Sequence, residues 1–114
     1  MQSIDPILNQ IIQRFEPLGI EKLVLFGSHA YGIPGENSDI DLLVVTSDDT
    51  LPKDFAEKSQ IVLRANRVIR DIKKRVPIDL IVHTRAMHRR FIELNSQFCQ
   101  EIATKGKVLY ESGR

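Results

Sequence analysis

Short apolar runs alternate with longer segments of helical periodicity along this chain. The runs lie at residues 23–26, 40–46 and 78–83, have the length of strands, and are all far shorter than the ~20 residues that cross a bilayer. In the segments between them, apolar residues recur at intervals of three and four, as on the buried face of a helix. Strands alternating with helices predict an α/β sheet covered by helices, and the short connections allow a mixed sheet as readily as a parallel one.

Capping residues indicate where the helices begin. Side chains that can accept a hydrogen bond from the first turn stand at the start of three periodic segments, at Asp5, Thr84 and Ser96. The longest helix is predicted to run without interruption from about residue 53 to residue 75, because Pro77 then stops it. Residues 31–38 contain two glycines and a proline and are predicted to form a turn or loop. Residues 108–110 are predicted to form a short edge strand.

The composition is that of an ordinary globular protein. Of the 114 residues, 42% are hydrophobic and 27% are charged, which argues against disorder and against a disulfide-rich scaffold. The single cysteine, Cys99, excludes an internal disulfide and a multi-cysteine zinc site. The first residues lack the basic and apolar regions of a signal peptide. We therefore expect one domain over residues 1–114, without a membrane segment, in the cytoplasm.

Two aspartates open the second apolar run. Asp39 and Asp41 are two residues apart, so that in a strand both carboxylates point to the same face. Neighbouring like charges repel, and such a pair needs a compensating cation or full solvation. Their oxygens suit a hard divalent ion such as Mg²⁺. The simpler alternative is a pair of solvated acids at a junction between loop and strand.

A third carboxylate lies in the third apolar run. Asp79 is flanked by aliphatic residues, although an unpaired aspartate is almost never fully buried. It needs a cation, a hydrogen-bond network or a strand end that opens to water. Three carboxylates can bind two metal ions, an arrangement that stabilises the attacking and leaving oxygens of an in-line phosphoryl displacement.

A Gly-Ser pair follows the first apolar run. Gly27 and Ser28 are predicted to start a short helix, whose N-terminus offers free N–H groups to an anion. Glycine lets a phosphate approach the backbone closely, and the Ser28 hydroxyl can donate a further hydrogen bond. By itself the pair is a common turn. With Asp39 following shortly after, an anion cradle and a metal site could face each other across adjacent strands.

These elements occur in the order and spacing of a known family. The Gly-Ser pair, the Asp-x-Asp motif and the later strand aspartate make the chain resemble the minimal nucleotidyltransferase (MNT) family of the DNA polymerase β-like superfamily. The resemblance implies a nucleotidyltransferase fold, a small mixed β-sheet flanked by helices. It implies that Asp39, Asp41 and Asp79 hold two Mg²⁺ ions and act in catalysis, with Asp79 also helping to deprotonate the acceptor hydroxyl. Gly27 and Ser28 would bind the phosphates of the nucleotide triphosphate.

The resemblance also implies a reaction and a partner. The expected reaction is Mg²⁺-dependent transfer of AMP from ATP to a hydroxyl group, with release of pyrophosphate. Chains of this kind are similar to antitoxins that modify a HEPN-domain ribonuclease toxin, which would be the partner. Two alternatives stay open: a non-catalytic module of the same fold that neutralises its partner by binding, and a small-molecule transferase of the aminoglycoside-modifying type. Many members carry arginine where this chain has Tyr31.

The remaining conspicuous residues have simpler interpretations. His29, His83 and His88 match no zinc spacing, and we expect surface or loop positions for His83 and His88, whereas His29 is the exception because it lies beside the Gly-Ser turn. Residues 64–75 carry six basic side chains, which leaves nucleic-acid binding open, although no aromatic residues interleave them. A solvated helix face is the simpler interpretation, and a protein partner with an acidic surface is the intermediate one. Whether the chain forms an oligomer stays open.

Overall fold

The computed structural model describes residues 4–32 and 39–112. Helices and strands follow one another in the order α1 (Asp5–Phe15), a 3-10 helix (Glu16–Leu18), β1 (Lys22–Phe26), α2 (Ser28–Tyr31), β2 (Ile40–Val45), α3 (Phe55–Val68), α4 (Arg70–Lys73), β3 (Ile78–His83), α5 (Arg85–Leu94), α6 (Gln97–Lys105) and β4 (Lys107–Glu111).

The four strands form one mixed sheet in the order β3-β2-β1-β4. β1 pairs antiparallel with both β2 and β4, whereas β2 and β3 are parallel. A parallel pair needs a long crossover connection, and α3 and α4 supply it here. The expectation of a small mixed sheet flanked by helices is confirmed, and β4 lies at the edge of the sheet as predicted.

Helices cover both faces of the sheet. Because side chains alternate along a strand, Leu42 and Val44 lie on one face with α1, α3 and α4, and Leu43 lies on the other. The second face is covered by α5 and α6, which contribute Phe91 and Ile102 to a smaller apolar cluster. Asp41 is two residues before Leu43 and so shares its face. The helices α5 and α6 therefore cover the face that carries the strand aspartates.

The long basic helix is interrupted. The prediction of one uninterrupted helix is wrong, since α3 ends at Val68 and Ile69 leaves helical geometry, with φ −118° and ψ 22°. The Nη1 group of Arg14 donates a hydrogen bond to the Val68 carbonyl at 3.1 Å, and the same guanidinium pairs with Asp71 at 2.6 Å. Ile69 and Ile72 are then both fully buried. A contact from a distant helix thus captures the carbonyl at the break.

Two of the three predicted N-caps are confirmed. The hydroxyl of Thr84 accepts from the Met87 N–H, and that of Ser96 accepts from the Cys99 N–H, each at 3.1 Å. The prediction for Asp5 is wrong, because α1 begins at Asp5 itself. As a first-turn residue, this carboxylate still lies at the positive end of the helix dipole.

Two further expectations concern the loop after α2 and the crossing of a membrane. The predicted loop at residues 31–38 is only partly covered, because residues 33–38 lie outside the described residues and Tyr31 ends α2. Across the described ranges, no helix has the length and apolar character that crossing a membrane requires.

Candidate active site

The aspartates of β2 and β3 stand side by side. In the parallel pairing, Asp41 is in register with Asp79, and in the antiparallel pairing Asp41 is opposite Phe26. Cross-strand partners share a face of the sheet, so the side chains of Asp79, Asp41 and Phe26 lie next to one another on three neighbouring strands. Asp39 immediately precedes β2 and is exposed, as is Asp79, whereas Asp41 is half-buried. We call Asp39, Asp41 and Asp79 the carboxylate row.

The carboxylate row is electrostatically coupled. The pKa of Asp41 is raised by burial, and the negative charges of Asp79 and Asp39 raise it further, whereas His29 acts in the opposite direction. Burial and the charges of Asp79 and Asp39 thus all disfavour the ionised form of Asp41. A bound cation would therefore stabilise the ionised form of the row.

The donor set of the carboxylate row fits Mg²⁺. Carboxylate oxygens are the hard ligands that this ion prefers, and the mutual repulsion at Asp41 is the kind that a divalent cation relieves. Within residues 4–32 and 39–112, no three histidine, cysteine, aspartate or glutamate side chains are arranged to hold a metal ion. The strand register brings Asp41 and Asp79 together. Side-chain movement is needed for Asp39 to join them as the third ligand of a metal ion.

Gly27 makes room for one of these carboxylates. Its backbone lies at φ +75°, a region that favours glycine, and a Cβ atom built there would overlap Oδ2 of Asp41. The sequence suggested that this glycine admits a phosphate. The structure adds a second reason for it, namely that the Asp41 side chain needs the space. This contact joins two strands and has no signature in the sequence.

Ser28 begins the short helix α2 directly beside the row. The Gly27 carbonyl accepts hydrogen bonds from the N–H groups of Ala30 and Tyr31, both at 3.0 Å, which closes the turn. The first N–H groups of a helix have no partner within it, and the half-buried Ser28 hydroxyl lies at the same place. Gly27 and Ser28 therefore place potential anion donors next to Asp41, and their binding of phosphate stays a prediction.

Tyr31 joins α2 to α6. Its hydroxyl donates a hydrogen bond to Oε2 of Glu101 at 3.2 Å, and the ammonium of Lys105 lies 5.6 Å from the centre of its ring. Burial raises the pKa of the Tyr31 phenol, an effect that the backbone of Gly27 partly offsets. The position at which many MNT proteins carry arginine is thus used here to anchor α6 against the Gly-Ser turn.

His83 and His88 form a pair that the sequence did not predict. Their Nδ1 atoms are 3.1 Å apart, and Phe91 packs against both rings. Both histidines are about half-buried, so the expectation of surface or loop positions is wrong for them. Burial lowers the pKa of His83 to about 4, and the charge of His88 acts in the same direction. A strand end and a helix meet here, which spacing alone does not reveal.

The histidine pair predicts a loss of stability in mild acid. Because the pKa of His83 falls from 6.5 to about 4 on folding, the unfolded chain takes up a proton before the folded protein does. The pKa of His88 is also lowered by burial. Folding stability is therefore expected to be complete above pH 6.5 and to decrease as the pH falls from 6.5 towards 4, as measured by urea denaturation.

Variants separate the histidines from the acids in this experiment. His83→Gln combined with His88→Gln should flatten the decrease between pH 6.5 and 4. Asp71→Asn should leave the decrease in place. The stability contributed by a carboxyl with a lowered pKa is lost only as the pH falls below its unfolded value of 3.8. The raised pKa of Asp41 acts with the opposite sign in all of these proteins. An unchanged decrease in the double variant would contradict the assignment.

The basic segment lies on the other side of the molecule. α3 and α4 pack on the sheet face opposite the carboxylate row. Near the break between them lies a concavity of about 320 Å³, lined by Leu63, Asn66, Arg67, Arg70, Lys73 and Lys74. Lys73 donates to Oδ1 of Asn66 at 2.6 Å. These cations are exposed, as expected for a solvated helix face, and they do not contribute to the carboxylate row.

Solved structures share this fold. A crystal structure of a toxin–antitoxin with AMP-PNP is 23% identical, with a TM-score of 0.56, over 92% of this chain and 73% of that chain. A variant of the toxin–antitoxin MntA-HpeT is 21% identical, with a TM-score of 0.55 and the same coverage. An MNT antitoxin in complex with the tri-AMPylated HEPN toxin of Shewanella oneidensis is 20% identical, with a TM-score of 0.50, over 96% of this chain and 74% of that chain.

The family follows from the sequence of nearly the whole chain. Comparison with curated proteins finds no significant match. The model of the family described as "Polymerase beta, Nucleotidyltransferase" matches residues 9–114, a span that includes the Gly-Ser turn and all three aspartates of the carboxylate row. The fold, the register of the strand aspartates and this match agree, and the chain belongs to the polymerase β nucleotidyltransferase family.

Proposed function

We propose that this protein transfers AMP from ATP to a hydroxyl group of a HEPN-domain toxin, and so acts as the antitoxin of that toxin. The observation that carries the proposal is the register of Asp41 with Asp79 beside the turn at Gly27 and Ser28. A carboxylate row next to potential anion donors suits a substrate that carries both phosphates and divalent cations. The partner is suggested by the structural neighbours, which include an MNT antitoxin in complex with a HEPN toxin.

The chemistry assigns a role to each part of the site. The acceptor oxygen forms a bond to the α-phosphorus of ATP while the bond to the bridging oxygen breaks, and pyrophosphate leaves. Asp79, exposed at one end of the row, takes the proton of the acceptor hydroxyl. Gly27 and Ser28 hold the outgoing phosphates with backbone N–H groups and the serine hydroxyl. Mg²⁺, held by Asp39, Asp41 and Asp79, would neutralise the triphosphate and polarise the reacting oxygens.

The exposure of the row fits a macromolecular acceptor. Asp39 and Asp79 are both exposed, so that a hydroxyl on the surface of another protein can reach them. The catalytic contribution of this chain is then mostly positioning and electrostatics, as in other phosphoryl transfers.

Labelled ATP tests the proposal. The full chain is incubated with Mg²⁺ and a HEPN-domain protein encoded by a neighbouring gene, once with ATP labelled at the α-phosphorus and once with ATP labelled at the γ-phosphorus. We expect the α-label to enter the HEPN protein, the γ-label to leave as pyrophosphate, and a chelator to stop both events. Entry of the γ-label would indicate a kinase, and retention of both labels in ATP would contradict transfer altogether.

A second function is favoured by one observation. Tyr31 stands where many MNT proteins carry arginine, and its hydroxyl donates to Glu101, so this position offers no cation to a phosphate, which suits a module that neutralises its partner by binding alone. The two functions differ in their dependence on Asp39 and Asp41. A binding module would keep neutralising without these carboxylates, whereas a transferase would not.

A further inference from the structure

An aromatic surface adjoins the carboxylate row. Phe26 stands opposite Asp41 on the neighbouring strand, and the ring of Phe98 in α6 packs against it edge-on, with centroids 5.5 Å apart and an angle of 78° between the ring planes. A single side chain thus separates Phe98 from the half-buried aspartate. Phe26 is buried, whereas Phe98 is 40% exposed. Phe26 and Phe98 therefore form an aromatic surface beside the carboxylate row, on the side of β1.

Contacts with α5, with the start of α6 and with α2 hold this aromatic surface in place. Phe91 packs against Phe98 with ring centroids 6.0 Å apart, and the cap at Ser96 fixes the first turn of α6, which contains Phe98. Further along α6, Glu101 accepts the hydrogen bond from Tyr31 of α2. The Gly-Ser turn and the Phe98 ring are thus tied to the same helix. Their relative positions are set before any ligand binds, which lowers the entropic cost of binding.

We propose that Phe98 is the platform on which the nucleobase of ATP stacks, a proposal that rests on the nucleotidyltransferase function proposed above. The turn at Gly27 and Ser28 takes the phosphates, and the base of the same nucleotide then lies against the exposed side of the Phe98 ring. Every nucleobase has a π face, so aromatic stacking is tolerant of base identity. Phe98 therefore supplies affinity for a nucleoside, and MgATP and MgGTP are expected to bind this chain with similar affinity.

Substitutions at Phe98 test the platform without removing a charged group from the site. Isothermal titration measures the binding of ATP and of inorganic tripolyphosphate, both with Mg²⁺, to the full chain. Phe98→Ala should weaken ATP binding about tenfold, and Phe98→Tyr, which keeps a π face, should stay within about twofold of the original protein. Phe98→Leu keeps an apolar contact with Phe26 and should lose nearly as much as alanine. Tripolyphosphate has no base, so its affinity should not change.

A matched control is available on the neighbouring helix. Leu94 is 80% exposed at the end of α5, and Leu94→Ala should leave the binding of both ligands unchanged. Equal weakening of ATP and tripolyphosphate by Phe98→Ala would mean that Phe98 only positions α6, and would overturn the platform. Unchanged ATP binding in Phe98→Ala would overturn it too, while leaving the transferase proposal in place. Failure of the original protein to bind either ligand would overturn both proposals.

Discussion

Replacing Asp39 and Asp41 together by alanine is expected to reduce AMP transfer by more than about a thousandfold. These two carboxylates are two of the three proposed ligands of Mg²⁺, and without them the triphosphate charge is not neutralised where the acceptor must attack. The fold should be retained or even stabilised, because burial and the charges of its neighbours already make ionised Asp41 unfavourable. The rate of α-label incorporation measures the first effect and urea denaturation the second.

The same variant separates catalysis from simple binding. In cells that express the HEPN protein, a transferase without Asp39 and Asp41 should no longer restore growth, although it still folds. Asp49→Ala serves as the control, since this exposed aspartate pairs with Arg89 at 2.9 Å and such surface pairs contribute little. Full neutralisation by the double variant would refute the transferase mechanism and support the binding module.

Gly27→Ala is expected to lower both stability and activity. A side chain at φ +75° and ψ −163°, a region essentially restricted to glycine, costs about 1–3 kcal/mol of strain. The new Cβ atom also overlaps the carboxylate of Asp41, and relieving such crowding costs about 1–3 kcal/mol more. Because Asp41 must move to make room, the transfer rate should fall together with the free energy of unfolding.

Gly32→Ala is a control for a positive φ without overlap. Gly32 also has a positive φ, +83°, but its ψ of 14° places it in the left-handed helical region, where a side chain costs about 1–2 kcal/mol, and among the described residues a Cβ atom built there meets nothing within 4 Å. This variant should therefore show only the cost of strain and keep its activity. If the two alanine variants lost the same free energy of unfolding, the close packing of Gly27 against Asp41 would be ruled out as the cause.

Local features of the sequence were sufficient for much of the secondary structure. β3 runs from Ile78 to His83, as predicted from an apolar run that follows a proline. The caps at Thr84 and Ser96 each form a hydrogen bond within three residues along the chain, so both partners could be identified in the sequence. The carboxylate motif was also visible, because a strand places residues two apart on one face.

Features that depend on distant partners were not predictable. The single long helix was expected because the apolar periodicity continues through Ile69, yet Arg14 captures the Val68 carbonyl from another helix. The pairing of His83 with His88 was missed because it depends on how α5 packs on the end of β3. In both cases the deciding contact joins elements whose relative placement is a property of the packed structure.

The sequence by itself determined the kind of chemistry, through the residue types that it brings close along the chain: a Gly-Ser turn, two aspartates two residues apart and one aspartate in a later strand. Only the tertiary structure decided how they combine. Parallel pairing of β2 with β3 sets Asp41 beside Asp79, and antiparallel pairing with β1 sets Phe26 on the other side of Asp41. A shift of one residue in either pairing would turn these side chains to opposite faces of the sheet. Register is set by the packing of whole strands and helices, and for that reason the site exists only in the folded protein.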